Sequence, residues 1–146
     1  MKISILIASA LSVLAISTGS AQENFSLTPR AAVPGTTVKV AYNPSQTVLK
    51  NEKNVNAEVY QFRNYKWKKE EIKLIKKDSL WTADYLLPAD AALVAFKFKS
   101  GKLSDIGHAY GWILSDKDGK NIPGGYAGWA FLRNGSVPEF FPDYTS

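Results

Sequence analysis

The sequence predicts an all-β protein, an antiparallel sandwich of about seven to eight short strands. Three observations predict it. Apolar and polar residues alternate with a period of two in segment after segment, and no long stretch repeats at 3.6 residues. The breaks between those segments carry Gly, Pro, Asn and Asp, the residues that make turns. The composition, 45% hydrophobic and 21% charged, is that of one ordinary globular domain and not of a disordered or fibrous chain.

The first residues form a separate unit. Lys2 supplies a positive start, Ile3 to Ile16 is an apolar run, and Gly19, Ser20 and Ala21 give small residues where a leader is cut. Residues 1–21 therefore read as a signal peptide, cleaved after Ala21. The run is short for a transmembrane helix, so no transmembrane segment is expected after cleavage. No Cys follows it to take a lipid. The expected location is periplasmic or secreted. The domain then spans residues 22–136, a size that supports one core. It has to do so without disulfides, since the chain of 146 residues contains no cysteine.

Within the domain Val38, Val40 and Tyr42 alternate with Lys39 and Ala41. Glu58, Tyr60 and Phe62 alternate with Ala57, Val59 and Gln61, and Ile72 and Leu74 flank Lys73. Trp81, Ala83 and Tyr85 alternate with Thr82 and Asp84; Val94, Phe96 and Phe98 alternate with Ala95, Lys97 and Lys99. Gly111 to Leu114 and Ala127 to Leu132 are apolar and also read as strands, while Ala89 to Ala92 reads as one helical turn. Pro34-Gly35, Asn43-Pro44-Ser45, Lys77-Asp78-Ser79, Pro88, Ser100-Gly101 and the hairpin signal Asp118-Gly119 separate them. Strands of this length and spacing suit an immunoglobulin-like sandwich, two sheets with interdigitated inner faces. Val137, Phe140, Phe141 and Tyr144 follow the last strand in an aromatic tail, residues 137–146, expected to meet a partner or a following domain.

The net charge of +5 is concentrated between Arg63 and Lys77, where Arg63, Lys66, Lys68, Lys69, Lys73, Lys76 and Lys77 outnumber Glu70 and Glu71. Lysines on exposed strands discourage edge-to-edge association, and a solvated edge is the expected reading, with no nucleic acid as partner. Catalytic sets are missing. His108 is the only histidine and falls in a polar stretch, Ser104 to Ala109, that reads as a loop. Glu70 and Glu71 are neighbours on a strand and so point to opposite faces. The run from Asp116 to Asn121 starts like a calcium loop, yet its twelfth position is Ala127 where that loop needs a bidentate Glu. Neither a metal nor a cofactor nor enzymatic activity is expected.

Aromatic residues make up 12% of the chain. Trp81, Tyr85, Phe96 and Phe98 alternate cleanly and are expected in the core, and burial is expected for Trp112 and Trp129 as well. Tyr65 and Trp67 differ: they stand among Lys66, Lys68 and Lys69 at a strand end, where an exposed ring could grip a ligand or partner.

The succession Val59-Tyr60-Gln61-Phe62, Trp67, Ile72, Leu74, Trp81, Leu87-Pro88 and Phe96-Lys97-Phe98, continued by Gly111-Trp112, Asp116 to Gly119 and Gly125 to Ala130, is a family signature by its order. It resembles the N-terminal immunoglobulin-like domain of exported thioredoxin-like proteins of Gram-negative bacteria, over Phe25 to about Pro138. The resemblance implies a helical linker and a thioredoxin domain with Cys-x-x-Cys beyond this domain. Those cysteines are not among these residues, so the implied role is that of a non-catalytic accessory domain that engages a protein partner in the periplasm. A second likeness, over Tyr60 to Tyr110, is to starch-binding β-sandwich modules. It implies glycan binding through Tyr65, Trp67 and Asp105.

Overall fold

The computed structural model describes residues 23–137. The signal segment 1–21 and the tail aromatics Phe140, Phe141 and Tyr144 lie outside the described residues. Eight strands and one helix follow in order: β1 (Phe25–Thr28), β2 (Thr37–Tyr42), β3 (Asn56–Arg63), β4 (Lys66–Lys73), β5 (Ile75–Lys77), β6 (Leu80–Leu86), β7 (Ala91–Ser100), β8 (Leu103–Ile113) and α1 (Gly125–Arg133). They form two antiparallel four-stranded sheets, ordered β1-β2-β6-β5 and β4-β3-β7-β8. This is the all-β sandwich expected. Lysine-rich β4 and β5 are indeed edge strands, where their charges stay solvated.

The alternation read from the sequence maps onto the sandwich interior. Val38, Val40 and Tyr42 of one sheet face Ala57, Val59, Val94, Phe96 and Phe98 of the other, and all are buried. Trp81 and Tyr85 join them as expected. The Tyr42 and Phe98 rings stack at 3.8 Å between centroids across the gap. Burying a large ring of this kind contributes about 2 to 3 kcal/mol.

A second core lies on the other side of the β4-β3-β7-β8 sheet. Tyr60, Phe62, Leu93 and Ala95 point away from the sandwich and pack with Leu132 and Val137. Strand β7 is therefore buried on both faces from Ala91 through Phe98. Glu58 points to the same outer side and holds Lys99 Nζ at 2.8 Å.

Four sequence expectations are corrected here. Ala127 to Leu132 is not a strand; it belongs to α1, which lies on the outer core. Its buried residues Gly125, Gly128 and Leu132 are spaced three and four apart, the period of a helix face. The chain ends that helix at Gly135, at φ +78, with Ser136 N–H donating back to Phe131 O at 3.0 Å. Ser104 to Ala109 is not a separate loop; it runs inside β8. The polar stretch is nonetheless an irregularity, because Tyr110 pairs with Phe96 while Asp105 pairs with Phe98, so β8 bulges between them. Ala89 to Ala92 is not a helical turn: Ala89 and Asp90 form a turn closed by Ala91 N–H to Pro88 O, and β7 begins at Ala91. Val137, read as the first residue of the tail, is buried in the outer core.

Candidate functional site

Residues Asn64 and Tyr65 close the β3–β4 hairpin, both with positive φ, 48° and 58°. A two-residue turn of this hand matches the twist of its strands, but glycine is the usual second residue. A tyrosine in the left-handed region costs on the order of 1 kcal/mol. The turn is pinned from outside: Arg63 Nε donates to Asp90 Oδ1 at 2.6 Å, and Asn64 Nδ2 to Asp90 Oδ2 at 3.3 Å. Hydrogen bonding from Arg63 holds the Asp90 carboxyl below its ordinary range.

The pinned turn displays the Tyr65 ring, which is 70% exposed. It meets Phe62 edge-on at 5.9 Å, and the half-buried Trp67 ring tilts over Phe62 at 5.0 Å. Phe131 from α1, itself 42% exposed, approaches Phe62 at 5.9 Å from the helix side. Phe62 is thus a buried hub, and three rings from a turn, a strand and a helix fan out around it. Lys66 and Lys68 are exposed as well, but strand alternation turns them to the opposite face of the sheet from Trp67. A cavity of about 240 Å³, walled by Tyr65, Asn64, Phe62, Ile122 and Gly124, opens beside it.

Asp105 is elsewhere. It pairs with Phe98, opposite Ala57, whereas Trp67 pairs with Phe62. Those two rungs are five residues apart along β3, roughly 17 Å at strand rise. The Asp105 carboxylate is also fully engaged: Oδ2 accepts the hydroxyls of Tyr42 at 2.6 Å and Tyr110 at 2.9 Å, and Oδ1 accepts Gly107 N–H at 2.9 Å. It ties the two sheets together at the rim of an open cavity of about 920 Å³ that Phe25, Thr47, Lys50 and Tyr110 also line. The structure therefore brings Tyr65 and Trp67 together and sets Asp105 apart from them.

Sequence reasoning missed Phe131, whose exposure depends on α1 being a helix. Tyr85, found in the core as expected, also bridges the sheets by donating to Glu70 and accepting from Gln61 Nε2 at 2.7 Å. Trp112 and Trp129, expected to be buried, are half-exposed. Among the described residues no three His, Asp or Glu side chains come together as a metal-holding group, and no helix is long and apolar enough to cross a membrane. Compared with known proteins, the chain matches no family model, no curated protein and no solved structure.

Proposed function

We propose that this is an exported, non-catalytic interaction domain that engages a thioredoxin-like partner through the aromatic patch of Tyr65, Trp67 and Phe131. One observation carries the reading: a tyrosine held in a left-handed turn conformation with most of its ring in solvent. Strained backbone conformations cluster at functional contact sites. Rigid aromatic rings around an apolar hub, rimmed by polar groups, are what anchors at protein interfaces look like. Family order supports the nature of the partner, and the apolar leader supports export.

The test is photocrosslinking in the source cell, with a benzophenone amino acid at position 65 and, as control, at position 84 on the other sheet. The expected product is a position-65 adduct, in the exported fraction, with a protein carrying Cys-x-x-Cys. Absence of any position-65 adduct, or adducts only with proteins of another kind, overturns the proposal.

A further inference from the structure

The two sheets leave four strands at their edges, and three are protected. Strands β4 and β5 carry lysines, and β1 is only 4 residues long. Strand β8 has 11 residues and contains neither Lys, Arg nor Pro. A long edge without those residues is a template for another strand.

Among the described residues, hydrogen bonding shows where that edge is open. Leu114 N–H donates to Ala92 O at 3.0 Å, toward β7, and Ser115 N–H donates to Ala32 O at 2.9 Å, away from β7. Backbone groups alternate in direction along a strand, so Gly111 and Ile113, like Ser115, turn theirs away from β7. Ser115 is covered by the segment around Ala32. Upstream, the bulge ends regular pairing. The window between them is Gly111 to Ile113.

That window has walls. On the inner side stands Trp112, whose Nε1–H donates to Arg30 O at 2.9 Å. On the outer side stands Trp129 of α1, packed so closely over Gly111 that a Cβ there would sit 2.4 Å from its ring. Together with Arg30 and Ile113 they line a cleft of about 370 Å³ along the strand edge. Each indole carries a guanidinium, Arg30 at 6.0 Å from the Trp112 ring and Arg133 at 5.7 Å from the Trp129 ring. The Arg30 guanidinium selects a negative occupant, and the open backbone selects an extended one.

We propose that the β8 edge at Gly111–Ile113 docks an extended acidic segment of a partner protein as a fifth strand of the sheet. Pairing at two successive outward residues gives up to about four backbone hydrogen bonds. The two indoles flank the added strand on its two faces, and Arg30 meets the carboxylates on the Trp112 face. This surface lies on the opposite flank of α1 from Tyr65 and Trp67, and stands or falls independently of them.

The probe is an end-blocked octapeptide alternating Glu with Val, titrated into the chain recovered from the cell. Two controls accompany it, one with Lys in place of Glu and one N-methylated at every second residue. Binding is read by tryptophan fluorescence, and its place by amide exchange. The Glu peptide is expected to bind and to slow exchange at Gly111 and Ile113, while both controls fail. Arg30→Glu is expected to weaken binding roughly fivefold, as for an exposed ion pair, with the thermal midpoint unchanged. No binding of the Glu peptide, equal binding of the Lys peptide, or protection confined to other amides overturns the proposal.

Discussion

Replacing Gly128 with alanine tests the packing of α1 on the sheet, because two opposing effects of known size meet there. Alanine inside a helix is favoured over glycine by about 1 kcal/mol. On a free helix, Gly128→Ala would stabilise. In this structure the added Cβ would fall 2.6 Å from Phe62 Cδ1, 2.8 Å from Cγ and 3.1 Å from Cβ. The near atoms are the root of the Phe62 ring, not its flexible end, and Tyr65, Trp67 and Phe131 hold that ring from other sides. Overpacking costs about 1 to 3 kcal/mol, and contacts under 3 Å to the rigid root of a ring belong to the upper part of that range, about 2 to 3, so steric conflict wins and the variant is expected to lose about 1 to 2 kcal/mol net. Urea unfolding followed by tryptophan fluorescence measures it. Ala130→Gly is the control: Ala130 is exposed on the helix and should lose about 1 kcal/mol from propensity alone. Opposite substitutions on opposite helix faces then both destabilise. Gly128→Ala with Phe62→Leu should cost less than the sum of the two single changes, since the smaller side chain leaves room. A stabilised Gly128→Ala protein would refute the placement of α1 on Phe62.

Three further outcomes follow from the geometry. Tyr65→Gly should leave stability unchanged or raise it by about 0.5 to 1 kcal/mol, by relieving the left-handed tyrosine, while weakening partner capture; a clear loss of stability in chemical denaturation would show the ring to be a packing element instead. Burial, together with Asp105 or Glu70 alongside, makes Tyr42, Tyr85 and Tyr110 hold their phenolic protons well beyond the ordinary 10.0. Raised folded values leave that stabilisation whole below pH 10.0 and remove it as pH climbs through them, so these rings should ionise only as the domain unfolds; smooth tyrosinate absorbance growth near pH 10.0 with circular dichroism unchanged contradicts this. Burial pushes the Glu58 carboxyl up, but hydrogen bonds from Lys99 and Tyr60 outweigh it and leave the group below its ordinary 4.5. Its contribution is present above 4.5 and lost as pH falls through the folded value, so Glu58→Gln should flatten the stability curve between about pH 5 and 3; a curve parallel to the parent's shows that the Lys99 pair carries no weight.

Strands with one buried and one solvated face were legible in the sequence because alternation is a direct consequence of that arrangement. Val38-Lys39-Val40 and Trp81-Thr82-Ala83 are of this kind. Strand β7 alternates in sequence yet is buried on both faces, because Lys97 and Ala95 point into the outer core and not to water. What hid that core was α1. Its segment, Gly-Tyr-Ala-Gly-Trp-Ala-Phe-Leu-Arg, has glycines that look like strand flankers or helix breakers. They serve as flat contact points, Gly125 against Ile113 and Gly128 against Phe62. The spacing of Gly125, Gly128 and Leu132 was the available signal, and it becomes visible only when glycine is counted as a buried residue. Tyr65 and Trp67 were legible as a displayed pair because two rings among lysines have little core to enter. The separation of Asp105 from them was not, since it depends on strand register and on the bulge in β8.

Both candidate surfaces depend on that unforeseen helix. Phe131 completes the patch on one flank of α1, and Trp129 walls the β8 cleft on the other. Neither ring is held by its own burial; each is set by glycine contacts that fix how deep the helix lies, Gly128 on Phe62 and Gly111 beneath Trp129. Lifting the helix by the fraction of an ångström that an alanine at Gly128 demands therefore moves both rings at once. Tyr65→Gly should impair only the first surface and Arg30→Glu only the second. Gly128→Ala should impair position-65 crosslinking and acidic-peptide binding together, which distinguishes one helix organising two surfaces from two surfaces that merely share a sheet.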